Sequence, residues 1–464
     1  MRKKHTILLL GIVVIVSGWC MASCGSLAQP SEGVVDVWAT WGDDSDQLQA
    51  LLERFSQPSD LPVRVTTRVR SEDLLEALAG AQPPDVVILS SSDLVAAYDA
   101  QGLVEPLDPW IEATGIDLGD VYPAPLGQCQ SPDDAQRCLP WGCDIDALYW
   151  NKDLFAAAGL DPERPPQTME EMVDYAGQLT LRDEQGELGQ VGFLPDFPRS
   201  HAELYARMLG GQFYNNGGAE LAASQPGLDA LNWQRQFYAG YDSEELEALV
   251  SSFTPYMTSR HALYAGRRLS CQQCHRSSPI QNKKTPDTGF RQGRMAMMID
   301  GQWQAGRKGL SHGEPPVNYG VAAFPPPSAH PERAGTTVVR GPVVFIAAGA
   351  VDKEAAANLL AWMMSPEIVA EAAEANALLP TSRTAARDPR FQSVPDLRVF
   401  LDLMAQANAK PAVTTAMTQE LSEALDRIEE EVLHQGGDPV LLLDQLQAGL
   451  ESQKKEALSF QARP

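Results

Sequence analysis

The chain has 464 residues, of which 44% are hydrophobic and 21% are charged, a balance typical of a globular protein with two or three domains. Its formal net charge is −25, so nucleic acids and anionic lipid headgroups repel it, and a nucleic-acid-binding function is excluded. Beyond the N-terminal region, no apolar run approaches the roughly 20 residues that a membrane-spanning helix needs.

Residues 1–23 predict a lipoprotein signal peptide. Three consecutive cationic residues precede an apolar run at 7–16, which is too short to span a bilayer. Small residues then lead to Cys24, and the stretch resembles a bacterial lipoprotein signal, in which cleavage precedes the cysteine and the thiol is acylated. Cys20 is the competing site, although a bulky tryptophan stands directly before it, and an ordinary secretory signal is the other alternative. We expect residues 24–32 to tether the protein to the outer face of the cytoplasmic membrane, with a formal charge of −28 once the three signal cations are removed.

The first quarter of the mature chain alternates between strands and helices. The third strand has four apolar residues in a row, as in a parallel sheet covered on both faces, so the pattern predicts an α/β fold. Polar residues follow the first and third strands, where open α/β sheets bind ligands; helix N-capping is the alternative role for the serines and aspartates. The predicted strands are 34–39, 63–67 and 85–89, the predicted helices are 45–55, 72–79 and 94–101, and the polar residues are Trp41, Asp43, Ser91 and Ser92.

The second half of the sequence is mostly helical, and no repeat of 20 to 50 residues is apparent. The helical patterns cover 168–179, 227–238, 353–364, 366–374, 415–434 and 440–459.

Three stretches carry a family signature. Cys138–Thr180 contains Leu-Pro, an alternating stretch, then Trp-Asn-Lys-Asp-Leu-Phe, Ala-Gly-Leu and Pro-Pro before an amphipathic helix. Phe290–Trp303 reads FRQGRMAMMIDGQW, and 319–381 contains Tyr-Gly, Trp-Met-Met-Ser-Pro-Glu and Leu-Pro-Thr. Together they resemble family 1 of the extracellular solute-binding proteins of ABC importers, in the branch that includes maltose-binding protein. Trp150 stands where that family has tyrosine, and Met169 where it has tryptophan.

The resemblance implies a two-lobed, periplasmic-binding-protein-like (type II) α/β fold with three crossings at a hinge and a ligand cleft between the lobes. On this analogy the first lobe takes residues 33–145 and 300–343, and the second takes 146–299 and 344–464. The implied partners are a small-molecule solute, a sugar above all, and an ABC permease in the membrane, and the protein is expected to act as a monomer.

Sugar binding requires planar hydrogen-bonding groups and aromatic platforms, and several residues match these needs. By the resemblance, Asp144 falls where the family places a cleft carboxylate, Arg340 falls at another crossing, and the loop at Phe213 and Tyr214 often contributes an aromatic. Core packing is the alternative for each tryptophan, and an ion pair between the lobes is the alternative for Asp144 and Arg340. No nucleophile with its base is apparent, so we do not expect an enzyme. The expected ligand-binding residues are Trp41, Asp43, Ser91, Ser92, Trp141, Asp144, Tyr214, Trp303 and Arg340.

Five cysteines remain after the signal region, an odd number for an oxidising compartment. A basic insertion at 259–294 contains Cys-Gln-Gln-Cys-His, which matches the c-type haem attachment pattern. A zinc site that also uses Cys143 is a second possibility, and a disulfide arrangement that staples the insertion is the third and favoured one. One arrangement pairs Cys129 with Cys138, and Cys143 with Cys271 or Cys274; the haem or zinc alternative uses Cys271, Cys274 and His275.

Three functions follow from these features. The first is a solute-binding protein without a cofactor, which delivers a carbohydrate to a permease. The second is a redox-active or haem-bearing lipoprotein on the same fold. The third is a binding protein for an anionic solute that uses the basic insertion.

Overall fold

The computed structural model describes residues 33–40, 45–59, 61–131, 134–197, 199–213, 225–253, 289–305, 309–310, 316–413, 415 and 417–461. Within these residues the strands β1 to β12 are Val35–Ala39, Val63–Thr66, Val86–Leu89, Leu139–Pro140, Asp144–Asn151, Leu181–Arg182, Leu188–Gln190, Met297–Gly301, Tyr319–Ala322, Thr337–Arg340, Val343–Ile346 and Ala409–Pro411. The helices α1 to α16 are Ser45–Ser59, Ser71–Ala79, Val95–Asp99, Asp108–Thr114, Pro123–Gly127, Lys152–Ala157, Met169–Gln178, Ala202–Met208, Gln225–Arg235, Ser243–Ser251, Lys353–Met363, Pro366–Ala375, Pro389–Gln392, Pro395–Ala405, Thr418–His434 and Pro439–Gln461. Short 3-10 helices include Ser92–Leu94 and Gln302–Gln304.

The first sheet has the strand order β2-β1-β3-β11-β4. β1 pairs in parallel with β2 and β3, whereas β11 runs antiparallel to β3 and β4. Every residue of β1 and β3 is buried, because helices cover both faces of the sheet. The three strands predicted in the first quarter of the mature chain are confirmed.

The second sheet has the order β12-β10-β5-β8, and β9 pairs with β5 as well. β5 is its central strand and runs antiparallel to β8, β9 and β10. Its register places Asp144 opposite Arg340 and Asp146 opposite Gly301. The amphipathic helix α7 begins beyond this sheet, where the Thr168 hydroxyl accepts a hydrogen bond from the Glu171 amide at 3.1 Å.

The chain crosses between the two sheets three times. It leaves the first sheet after β4 and enters the second at β5, and it returns from β10 to β11 through Gly341 and Pro342. The third crossing follows α12 and leads to α14, which contacts β5, β9, β10 and β12. Backbone hydrogen bonds join the crossings: the Trp141 amide donates to the Pro342 carbonyl at 2.9 Å, and Cys143 and Leu379 exchange bonds of 3.0 and 2.9 Å. The two-lobed type II α/β fold is confirmed.

The sheets divide the chain differently from the predicted lobes. β9, β10 and the end of β8 belong to the second sheet, although residues 300–343 were predicted for the first lobe. β11 belongs to the first sheet, and α11 packs against it, although residues 344–464 were predicted for the second lobe. The chain passes between the two sheets near 145 and 343, whereas at 300 β8 stays paired with β5 of the second sheet. The third crossing, between α12 and α14, was missed.

Two further observations complete the fold. Cys129 and Cys138 form a disulfide whose Cα atoms lie 5.0 Å apart, within a hydrophobic cluster on one face of the first sheet. Cys143 is buried at the first crossing and forms no disulfide with another cysteine of the described residues. In the part of the chain that the structure describes, no helix combines the length and apolarity needed to cross a membrane.

Candidate functional site

Polar side chains collect at the edge of the second sheet that faces the crossings. β5 begins at this edge with Asp144, while β8 and β10 end here with Gly301 and Arg340. Because β5 is antiparallel to both neighbours, its first residues lie beside their last ones. The strand register alone therefore brings an arginine, several carboxylates and the Gln302–Gln304 turn to one place between the lobes.

Arg199 connects two carboxylates of this edge. It lies in the loop before α8 and makes ion pairs with Asp146 and, at 3.3 Å, with Asp300. Its guanidinium carbon lies 5.2 Å from the ring centroid of Trp303, a cation–π distance. The Arg199 side chain is 37% exposed, whereas those of Asp146 and Asp300 are 11% and 5% exposed. The two carboxylates thus hold the guanidinium of a side chain that is still partly exposed.

Burial and charge act oppositely on these carboxylates. Burial raises the pKa of Asp146, but the positive charges of Arg199, His201 and Arg340 outweigh burial, so the net shift is downward. Burial also raises the pKa of Asp300, and there Arg199 offsets the effect only in part. Asp146 is therefore the firmly charged partner of Arg199.

Trp303 lies half-buried in the turn directly after β8. A Cβ atom at Gly301 would come within 2.2 Å of its ring, so only glycine lets the indole lie this close to the strand end. Backbone and Arg199 together hold the ring at the sheet edge, which is the arrangement an aromatic platform needs.

Arg340 pairs within the second lobe. Its guanidinium donates to Glu203 at 2.8 Å, and the Arg340 side chain as a whole is 39% exposed. Glu203 also accepts from Arg207 at 2.8 Å. Burial raises the pKa of Glu203, but the charges of Arg340 and Arg207 outweigh it and the net shift is downward. Asp426 of α15 lies close to Arg340, and the protein packed around its carboxylate raises its pKa to about 6.

His201 lies behind this edge and is fully enclosed. Its Nδ1 is 3.4 Å from the Pro195 carbonyl oxygen, and its Nε2 is 3.9 Å from a carboxylate oxygen of Asp146. Burial lowers the pKa of His201 to about 4 despite the carboxylate. The imidazole is therefore neutral near pH 7.

Comparison with known proteins decides the family. The profile of the bacterial extracellular solute-binding proteins matches residues 39–370. The chain belongs to this family. Solute-binding proteins of this kind are not enzymes, and they lie outside the cytoplasmic membrane, in the periplasm or beyond. The resemblance inferred from the three sequence signatures is confirmed.

Individual relatives are distant. The maltotriose-binding protein of Pyrococcus abyssi is 22% identical over 395 residues, which cover 84% of this chain and 74% of the relative. The sn-glycerol-3-phosphate-binding periplasmic protein UgpB of Escherichia coli K12 is 50% identical over 40 residues, 9% of each chain.

Solved structures share the fold. CpMnBP1 with mannotriose bound superimposes with a TM-score of 0.71 at 22% identity, covering 89% of this chain and 99% of the other. UgpB of Mycobacterium tuberculosis, in complex with glycerophosphocholine, gives 0.66 at 17% identity, covering 92% and 100%.

The solute-binding protein brings three of the predicted site residues together. Asp144, Trp303 and Arg340 all lie at the edge of the second sheet, and Asp144 accepts a hydrogen bond from Gln302 at 2.6 Å. Arg340 pairs with Glu203 of its own lobe. Trp41, Asp43 and Tyr214 lie outside the residues that the structure describes.

The remaining predicted residues make contacts within the protein. Trp141 is 1% exposed and its indole N–H donates to the Met363 carbonyl at 3.3 Å, so its assignment to the cleft is wrong. Ser91 caps the Ser92–Leu94 turn by accepting from the Asp93 amide at 3.2 Å, which is the alternative role anticipated for it. Ser92 is 2% exposed, and its hydroxyl lies 3.3 Å from Gln128 Oε1. This turn nevertheless contacts α15 of the second lobe.

Sequence reasoning missed Arg199, Glu203 and Gln302. Gln302 lies inside the recognised Asp-Gly-Gln-Trp stretch, so its position next to Trp303 was the available signal. Arg199 lies in an irregular loop, and no local pattern distinguishes it from other surface arginines.

The described residues also contain one cluster with metal-ligand chemistry, Asp196, Glu430 and His434, with ligand atoms within 4.8 Å of each other. Asp196 already accepts from Tyr238 and pairs with His434 at 2.7 Å, so hydrogen bonding accounts for it. Cys24, Cys271, Cys274 and His275 lie outside the described residues.

Proposed function

We propose that this protein is a lipid-anchored solute-binding protein that delivers a carbohydrate or a related polar solute to an ABC permease. The arrangement of Trp303, Arg199 and Arg340 at one sheet edge between the lobes carries the proposal. The names of relatives support it, since maltotriose and mannotriose are ligands of a relative and of a structural neighbour.

The chemistry of the edge suits a hydroxyl-rich solute. A guanidinium has five N–H donors, and the two carboxylates that pair with Arg199 use only some of them. The Arg199 side chain remains 37% exposed beside Trp303, so its further donors are available to a solute there. Side chains already fixed by ion pairs lose little conformational entropy when a solute binds.

Charge favours a neutral solute over an anion. Each of the two arginines already has a carboxylate partner, and Asp426 adds negative charge nearby. The positive charge that a phosphate or carboxylate solute would need is therefore already neutralised by these carboxylates. The glycerophosphocholine bound to a structural neighbour makes organic phosphates the competing class.

A thermal-shift panel tests the proposal. The panel contains mannotriose, maltotriose, ribitol and glycerophosphocholine, and a solute at 100 times its dissociation constant should stabilise the protein by about 2.7 kcal/mol. Arg199→Ala should abolish the shift. Arg137→Ala is the matched control, because Arg137 pairs with Asp99 in the first lobe, at 2.7 Å.

If glycerophosphocholine is the only panel solute that raises the melting temperature, the solute class is an organic phosphate and not a carbohydrate. If Arg199→Ala binds the solute with the affinity of the wild type, the solute does not bind at this sheet edge.

The anchor is a separate part of the proposal. We infer that the mature protein begins at acylated Cys24. Cys24→Ala should release soluble protein or leave the precursor unprocessed, as seen by membrane fractionation and intact mass. Quantitative acylation of that variant would transfer the assignment to Cys20.

A further inference from the structure

The side-chain amide of Gln302 joins three segments at the crossings. Its Oε1 accepts from the Ile145 amide at 3.1 Å, and its Nε2 donates to Asp144 at 2.6 Å and to the Ala377 carbonyl at 2.9 Å. Both amide donors are thus used. Gln302 is 1% exposed, so water cannot readily replace these partners.

The three partners belong to different parts of the hinge. Asp144 and Ile145 open β5 directly after the first crossing, whereas Ala377 follows α12 where the third crossing begins. Gln302 itself follows β8 of the second sheet. One side chain therefore fastens the third crossing to the second lobe.

The backbone at Ala377 is held in a conformation that an alanine rarely adopts. Its φ is +55°, in the left-handed region where a Cβ atom is strained. The Leu378 amide donates back to the Ala373 carbonyl at 2.9 Å, which closes the end of α12 around this residue. The Ala377 carbonyl, which accepts a hydrogen bond from Gln302, therefore has a fixed direction.

Gln302 is also covalently next to the aromatic platform. Trp303 follows it in the same turn, with its ring against Gly301 and beneath Arg199. A backbone shift in this turn therefore moves the indole and the Gln302 side chain together.

We propose that Gln302 is a positioning residue that couples the cleft edge to the hinge and sets the orientation of the two lobes. Its effect on solute binding rests on the proposed function, but its effect on lobe orientation does not. If instead the amide only satisfies local polar groups, its loss lowers stability and leaves the lobe orientation unchanged.

Solution X-ray scattering of the solute-free protein tests this directly. Gln302→Met keeps the side-chain length and removes all three hydrogen bonds. Gln190→Met is the matched control, because Gln190 is 8% exposed and donates to the Leu179 carbonyl at 2.6 Å within the second lobe. We expect Gln302→Met to shift the ratio of lobe orientations roughly two- to tenfold and so change the radius of gyration. We expect Gln190→Met to match the wild type. Identical scattering from all three proteins would overturn the proposal.

A second variant keeps the test decisive if Gln302→Met does not fold. In Gln302→Glu an ionised carboxylate faces Asp144 and repels it, whereas the protonated form restores one donor. The scattering profile should therefore return towards the wild-type profile as the pH falls from 8 to 5, relative to wild type in the same series. If the difference between the scattering profiles of Gln302→Glu and the wild type does not change with pH, the coupling is refuted. These measurements need no solute, so failure of the thermal-shift panel would leave this result unaffected.

Discussion

Acidification should destabilise this protein through His201. The imidazole is 1% exposed, and burial lowers its pKa to about 4, against 6.5 in an unfolded chain. The folded state therefore favours neutral histidine. Its contribution to stability is complete above pH 6.5 and is lost progressively as the pH falls towards 4. Each unit of pKa difference corresponds to about 1.4 kcal/mol, so between pH 7.5 and 4.5 the loss should reach about 2–3 kcal/mol.

The groups around His201 determine how this loss is measured. Asp146 favours protonation, while Arg199 and Arg340 oppose it. Asp300 and Asp426 have raised pKa values, so their protonation acts in the opposite direction on stability. The contribution of His201 is therefore measured as the difference between the pH dependence of the unfolding free energy of the wild type and that of a variant that lacks the imidazole.

We would measure the free energy of unfolding in urea at pH 7.5 and 4.5 for wild type and His201→Gln. The wild type should lose about 2–3 kcal/mol more than the variant on acidification. His330→Gln controls for the loss of a histidine at an exposed position, where the side chain is 46% exposed. Parallel pH dependences for wild type and His201→Gln would show that the imidazole is not buried in its neutral form.

Three further predictions concern the site, the disulfide and the hinge. For the panel solute that raises the melting temperature, Trp303→Ala should lower the binding free energy by about 2 kcal/mol, near 30-fold in affinity, as measured by calorimetry. Unchanged affinity would show that the indole does not contact the solute. Cys129→Ser should lower the free energy of unfolding by about 2–3 kcal/mol, as loop-closure entropy predicts for a sequence separation of 9 between Cys129 and Cys138. A reductant should abolish that difference in urea denaturation, and equal stability without reductant would contradict the disulfide. Ala377→Gly should raise the free energy of unfolding by about 0.5–1 kcal/mol, because glycine relieves the strain of φ +55°, whereas a loss of stability would contradict it.

Local sequence patterns determined the elements and the family of this protein. The run at Val86–Leu89 predicted a buried strand because side-chain burial on both faces requires consecutive apolar residues. Thr168 marked the start of α7 because a capping hydroxyl satisfies amides only a few residues away. Both effects act within one turn or one strand, so neighbouring residues suffice to predict them.

The membership of each lobe and the composition of the site depended on contacts distant in sequence. Trp141 and Trp303 both follow strand-like stretches, yet the first packs in the core against Met363 and the second lies at the sheet edge. Arg199 acquires its role only when Asp146 and Asp300 come together from two antiparallel strands. Strand pairing, burial and ion pairing between such segments depend on the whole packed chain, and so the tertiary structure alone decided them.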